Sequence, residues 1–368
     1  MGLLRLLLAL CVVAAHSSSG LGQILPGGSA AVQAFFVVSG FYMALVLNEK
    51  YTFRGSVAVF YQQRYLRLAP MYWVTLGLTI LAAVTHTKLT GYPSGPIKHY
   101  LESWTGLSTG AKMGLILTQS SMFGMDALTF FHLNGKLLSF VYSTSLTDQM
   151  NGTAFTVVTQ SWSLSLELLF YLISPFVVRR SAIVLGLLVA VTWIIRMYCK
   201  LRFGLNGAWD DHFFPFELGL FSAGALAYKS YAFVESSIKS GRITPYASYA
   251  GLFVFFGLFL LYGKIPIVEE VKRWIFLLSV ACAIPVLFSM TRRSEIDRWI
   301  GELSYPLYLL HSLCIGIIYP LMVKSSGITR EAVIYCPAIA VAIVAQIALE
   351  ARFDRFRHGL LRSREPSH

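Results

Sequence analysis

The chain has 368 residues, of which 56% are hydrophobic and only 13% charged. A soluble domain of this length cannot hide so much apolar surface in one core, and soluble domains carry about 25% charged residues, so an ordinary cytosolic enzyme, a disordered chain and a fibrous protein are excluded. The net charge of +12 does not point to nucleic acid, because the lysines and arginines cluster between long apolar runs, as positive-inside sorting places them; those runs also lack the ~10-residue alternation of a membrane barrel.

About ten apolar segments approach the ~20 residues that a bilayer-crossing helix needs. They lie near residues 3–19, 30–47, 70–86, 162–178, 181–198, 214–229, 245–262, 273–290, 303–322 and 332–350. The predicted fold is all-α: a polytopic membrane helix bundle of about ten transmembrane helices. One integral-membrane domain covers 1–351. A short basic tail, 352–368, carries Arg352, Arg355, Arg357, Arg362 and Arg364. An even number of spans puts both termini on one side. With that side cytoplasmic, 18 of the 30 Lys and Arg residues lie inside, the bias expected of positive-inside sorting. The expected location is the inner (cytoplasmic) membrane, with membrane lipids as surroundings and no nucleic-acid partner.

The first segment has two readings. MGLLR, the apolar run Leu6–Ala15 and the small residues after it look like a signal peptide. Against this, Arg5 and His16 stand eleven residues apart, which returns to nearly the same helix face about 16 Å along the axis. Ionisable residues inside a span are costly and mark functional sites. The second segment carries FFVVSGFYM (Phe35–Met43), where Ser39 and Gly40 let helices approach closely. Arg64 and Arg67 follow, sharing a face at i,i+3, with Pro70 opening the third span and Tyr72 and Trp73 beside it. The pair reads either as positive-inside anchoring with an aromatic belt or as a clamp for phosphates. The segment 87–161 is more polar, and 111–125 within it suits an interfacial or re-entrant helix.

At the fourth span, Glu167 sits about one turn into an apolar helix, with Ser163 at i−4, Tyr171 at i+4 and Trp162 at the helix start. A carboxylate at membrane depth points to a site or its direct support. Asp210–Asp211–His212 reads as a solvated loop rather than a metal site, and Glu217 as an interfacial carboxylate. Ser304, Tyr308 and His311 form a polar stripe on the ninth span, next to Tyr305. His311 reads first as a hydrogen-bonded bundle histidine and second as a proton carrier. Cys11, Cys199, Cys282, Cys314 and Cys336 lie mostly in apolar stretches without metal-ligand spacing, and no phosphate loop, dinucleotide fingerprint or serine-elbow motif occurs, so no metal or redox cofactor is expected.

Taken in chain order, R-x10-H (Arg5…His16), FFVVSGF, RxxR (Arg64, Arg67), WSLSLE…FY (Trp162–Tyr171) and GELSYPLYLLH (Gly301–His311) resemble the membrane acyltransferase-3 family, from residue 3 to roughly 350. The departure from the family is a short lead, four residues before Arg5. The resemblance favours a retained first span over a signal peptide. It implies transfer of an acyl group, often acetyl, from acyl-CoA to a hydroxyl of a carbohydrate or glycolipid, with cell-surface polysaccharide modification as the outcome. Acyl-CoA would be a co-substrate, with no bound cofactor. His16 would be base or transient acyl carrier. Arg5 would lie near the donor or the developing oxyanion, and Glu167 would orient His16 or an arginine. Arg64, Arg67 and Tyr72 would bind the donor. Trp162, Ser163, Ser304, Tyr305 and His311 would contact or support the substrate.

A transporter or flippase of a lipid-linked or small polar substrate would explain the spans and buried polar groups equally well. Such proteins commonly show two related halves with broken helices, and no such repeat is visible in the sequence. A structural part in an export complex leaves Glu167 and His16 without a role.

Overall fold

A computed structural model describes residues 1–17, 19–93, 95–141 and 151–362. Its helices are α1 (Gly2–Ser17), α2 (Gly28–Glu49), α3 (Ser56–Thr90), α4 (Pro96–Ser103), α5 (Thr109–Ser121), α6 (Ser161–Val177) and α7 (Ala182–Phe203). They continue with α8 (Phe214–Lys239), α9 (Pro245–Leu260), α10 (Glu269–Thr291), α11 (Glu295–Glu302), α12 (Ser304–Lys324), α13 (Gly327–Ala345) and α14 (Ala351–Arg362). Every apolar segment read from the sequence is helical. Among the described residues, six helical stretches are long and apolar enough to cross a membrane: Gly28–Glu49, Ser56–Thr90, Ala182–Phe203, Glu269–Thr291, Glu295–Lys324 and Gly327–Arg355. α1, α6 and α9 are apolar but have only 16 or 17 residues. At 1.5 Å per residue they rise about 24–26 Å, against a hydrocarbon core of about 30 Å.

Two features differ from the sequence expectation. α3 begins at Ser56, and Pro70 lies inside it rather than opening it. Membrane helices tolerate an interior proline because neighbouring groups satisfy the freed carbonyl, so Arg64 and Arg67 ride on the same helix as the apolar run after them. Within 87–161, α5 is the expected short helix, capped by Ser108, whose hydroxyl accepts from Ala111 N at 3.2 Å. The hairpin that follows it was not expected. Strands β1 (Phe131–Asn134) and β2 (Leu137–Phe140) pair antiparallel, with Phe131 opposite Phe140 and Asn134 opposite Leu137. Its two-residue turn uses Gly135 at φ +58°, a backbone angle that such tight hairpin turns require. Four-residue strands carry too little periodicity to be read from sequence.

The chain packs as two compact units. The first comprises Met1–Val57, Ile173–Val191 and Leu218–Arg352. In it, the Asp297 carboxylate of α11 accepts from the free backbone amides at the start of α1, Gly2 N at 2.8 Å and Leu3 N at 3.0 Å, so one helix caps the other. Arg179 closes the C-terminus of α2 by donating to the Leu47 carbonyl at 2.9 Å and the Tyr51 carbonyl at 2.6 Å, a favourable place for a cation. Gly40 on α2 and Gly224 on α8 let two backbones meet. A Cβ at Gly40 would lie 1.9 Å from the Phe221 carbonyl oxygen, and one at Gly224 would lie 1.9 Å from that of Val37. Gly40→Ala is therefore expected to lower the melting temperature by several degrees and reduce accumulation in the membrane, since overpacking costs about 1–3 kcal/mol. Gly77→Ala, with open space around it, is the matched control; equal behaviour of the two variants would remove the packing role.

The second unit comprises Ala58–Leu172, Thr192–Glu217 and the chain from Phe353 onward. Gln119 of α5 organises its centre. Its carbonyl accepts from the Tyr72 hydroxyl at 2.8 Å, and its side-chain amide donates to the Phe155 carbonyl at 2.8 Å. The basic tail is helical as far as Arg362; Arg364 lies outside the described residues.

Candidate active site

In the first unit, α1 carries His16 and α12 carries His311. Their rings lie 5.0 Å apart, and His311 Nε2 is 3.3 Å from His16 Nδ1. The surrounding carbonyls fix the protons. His311 Nδ1 is 2.6 Å from the Tyr308 carbonyl; a carbonyl only accepts, so Nδ1 carries the proton and the Nε2 of a neutral ring holds a lone pair. His16 Nδ1 is 2.9 Å from the Val12 carbonyl, so it too carries a proton, shared with His311 Nε2. The lone pair of a neutral His16 is then on Nε2. His16 is exposed and His311 fully buried, so the outer imidazole presents its basic nitrogen and the inner one holds the ring. The Ser312 hydroxyl also lies 3.3 Å from His311 Nε2.

The polar residues of α12 meet different partners. Ser304 donates to the Gly301 carbonyl at 2.6 Å, Tyr305 is buried, and Tyr308 lies 6.0 Å from the His311 ring and 6.2 Å from Phe35. Arg5 is at the other end of α1. It stands beside Gly301, where a Cβ would come 3.6 Å from Arg5 Nη1, and its charge acts on the Tyr42 hydroxyl. Arg5 and His16 thus share a helix but have different neighbours.

In the second unit, Glu167 is half-buried on α6 and accepts from the Tyr171 hydroxyl one turn on. The charges of Glu167, Arg64 and Arg67 all act on that hydroxyl, so the α3 arginines and the α6 carboxylate form one electrostatic group. Arg64 lies over the Phe60 ring at 5.6 Å, and Arg67 pairs with Asp354 of α14 at 3.3 Å. Tyr72 is not part of this group in the way the sequence suggested. It is fully buried with its hydroxyl on Gln119, which makes it a tie between α3 and α5. Ser163 is also turned to local structure, donating to the Gln160 carbonyl at 3.1 Å.

Trp162 stacks on His212 at 3.8 Å with the ring planes 23° apart, which corrects the reading of residues 210–212 as a solvated loop. Asp211 and His212 are 8% and 5% exposed, and Asp211 Oδ1 holds His212 Nδ1 at 2.6 Å. The aromatic surface of Trp162 supplies the cover that a loop of polar residues did not announce. Nearby in the chain order of this unit, Asp126 accepts from the Ser165 hydroxyl at 2.6 Å; burial raises its carboxyl above the usual range, while that hydrogen bond and the charge of His212 pull it back. Glu217, read as an interfacial carboxylate, has a partner that the sequence did not suggest. It is fully buried and paired with Arg196 of α7 at 2.5 Å, both side chains at 1% exposure or less. Sequence reasoning passed over Arg196. An arginine deep in an apolar run was the available signal, since such a charge must find a partner.

The profile of a family described as an acyltransferase domain matches residues 1–349. The chain belongs to the acyltransferase-3 family. It is therefore an acyltransferase and a multi-pass membrane protein. Among curated proteins it is similar to the exopolysaccharide production protein ExoZ of Rhizobium meliloti (strain 1021), at 24% identity over 314 residues, covering 82% of this chain and 81% of the relative. No solved structure matches. The family match spans the helices that carry His16, Arg64, Glu167 and His311.

Proposed function

We propose that this membrane acyltransferase moves an acyl group, acetyl in the first instance, from acyl-CoA to a hydroxyl of a carbohydrate or glycolipid acceptor, and so modifies a cell-surface polysaccharide. The observation that carries the reading is the exposed His16, whose Nδ1 meets the Val12 carbonyl and His311 Nε2, so that the lone pair of a neutral ring falls on Nε2. The printed name of the Rhizobium relative, an exopolysaccharide production protein, supports a polysaccharide acceptor. The proposal takes ten helices across the inner membrane with both termini cytoplasmic, supported by the bias of 18 in 30 basic residues.

Two routes start from the same lone pair. In direct attack, Nε2 takes the acceptor hydroxyl proton, the oxygen bonds to the thioester carbonyl carbon, the C–S bond breaks, and the imidazolium returns the proton to the CoA thiolate. In the two-step route, Nε2 itself bonds to the carbonyl carbon and expels the thiolate, and the acceptor oxygen then displaces the imidazole while its hydroxyl proton passes to the CoA thiolate. Arg64 and Arg67 are assigned to the donor phosphates; Arg5, about three turns from His16 on the same helix, is assigned a place along the donor and not at the carbonyl oxygen. Trp162, Ser304 and Tyr305 support these groups through packing and backbone bonds.

Glu167 sets the charge of the arginine group. Glu167→Gln keeps the side-chain shape and its contact with Tyr171 while removing the charge. It is expected to cut turnover about ten- to a hundred-fold, the worth of one charged hydrogen bond, with normal accumulation in the membrane. Near-normal turnover of the variant would remove the charge from the mechanism. The reading as a whole is tested by incubating membranes that contain the protein with acyl-labelled acetyl-CoA. Label is expected in hydroxyl-bearing glycan or glycolipid; label that stays entirely on CoA would overturn it.

A further inference from the structure

The C-terminal helix α14 brings two side chains to the arginines of α3. Asp354 Oδ1 accepts from Arg67 Nη1 at 3.3 Å and also from Arg357 Nη2. The Gln63 amide of α3 donates to the Arg357 carbonyl at 3.2 Å, which fixes the two helices against each other. Arg67, Arg357 and Asp354 are 18%, 14% and 23% exposed. Arg64, on the same face as Arg67, has a buried Nε with no hydrogen-bond partner among the described residues. Arg67 and Arg357 thus share one carboxylate at the junction of α3 and α14, with Arg64 one turn before Arg67 on the same face.

A carboxylate accepting from two guanidinium groups occupies the geometry a phosphate takes, because both present oxygens to the planar N–H fork. A phosphomonoester offers a third oxygen and up to about twice the charge. We propose that Arg64, Arg67 and Arg357 form a phosphate subsite for the acyl donor, closed by α14, and that Asp354 competes with the phosphate for Arg67 and Arg357. This rests on the assignment of acyl-CoA as donor. It adds a third arginine, from a segment the sequence marked only as a basic tail. The competition makes donor binding adjustable: whatever weakens the hold of Asp354 strengthens that of the donor.

The test is equilibrium binding of CoA, and of phosphate-free pantetheine, to the purified full-length protein in neutral detergent. Arg64→Ala and Arg357→Ala are each expected to weaken CoA about ten-fold or more. Asp354→Asn is expected to tighten it about three-fold or more, a gain that misfolding cannot produce. Pantetheine should bind all four proteins alike. If Arg64→Ala weakens CoA while Arg357→Ala and Asp354→Asn bind as wild type, the subsite is overturned and the donor assignment stands. If the wild type binds no CoA, the donor assignment itself fails. The phosphodiester of a lipid headgroup shares this chemistry. If Arg357→Ala loses binding to phosphatidylglycerol vesicles with CoA affinity unchanged, the arginines serve lipid and the proposal is overturned.

Discussion

His16→Ala is expected to lower acyl transfer by about 10²–10⁴-fold, the contribution of a positioned general base, and by more if the imidazole carries the acyl group. Donor binding and accumulation in the membrane should be retained, because the side chain is exposed and its ring, among the described residues, is bonded to Val12, one turn back, and to His311. His16→Asn should fail as well: its amide can accept a hydrogen bond but cannot take a proton near neutral pH. Rapid quench of the wild type with labelled acyl-CoA and no acceptor separates the two routes. Label on His16 supports the acyl-histidine, and its absence supports direct attack. A His16→Ala variant that turns over near the wild-type rate would remove the residue from the chemistry.

Replacing His311 is expected to have the second-largest effect, through position rather than contact with substrate. Its Nε2 accepts from His16 Nδ1 and so helps hold the tautomer that leaves His16 Nε2 basic. His311→Leu removes the acceptor from a fully buried place. A loss of about ten- to a hundred-fold in kcat is expected, with KM for the donor unchanged, since an orienting hydrogen bond is worth about 1.5–3 kcal/mol when charge develops on its partner. His311→Gln places an amide oxygen near the position of Nε2 and should recover most of the activity. A purely structural histidine would not distinguish the two replacements in kcat alone. If Gln is as inactive as Leu while the protein is folded, the orienting role is wrong.

The helices were legible in the sequence because apolar length is a local property, and each apolar segment became one. Their exact roles across a bilayer were less so. α1, α6 and α9 are apolar yet short, and α3 extends well before its apolar run, with Pro70 inside it, a place that membrane helices tolerate. The site was legible as residue types on faces. Arg64 with Arg67, and Glu167 with Tyr171, follow from i,i+3 and i,i+4 spacing. What pairs with what was not, because those contacts join distant segments. His16 and His311 are 295 positions apart, and Asp354 reaches Arg67 across 287. Nothing local in the sequence encodes either meeting. Burial of His212, and of Asp211 bonded to it, was missed for the same reason, since the ring of Trp162 that stacks on His212 comes from α6. Tyr72 failed in the opposite direction: its place beside the arginines in sequence suggested the donor, and the partner that claims its hydroxyl, Gln119, lies on another helix.

The central claim is that the exposed histidine of the first helix transfers an acyl group from CoA. It is tested most directly by purifying the wild type and His16→Ala in parallel, supplying acyl-labelled acetyl-CoA with acceptor-bearing membrane extract, and following free CoA thiol and label in the glycan fraction together. The wild type is expected to release thiol in step with label entering glycan, and the variant to do neither. Equal rates in the two proteins, or no thiol release by the wild type, would contradict the account.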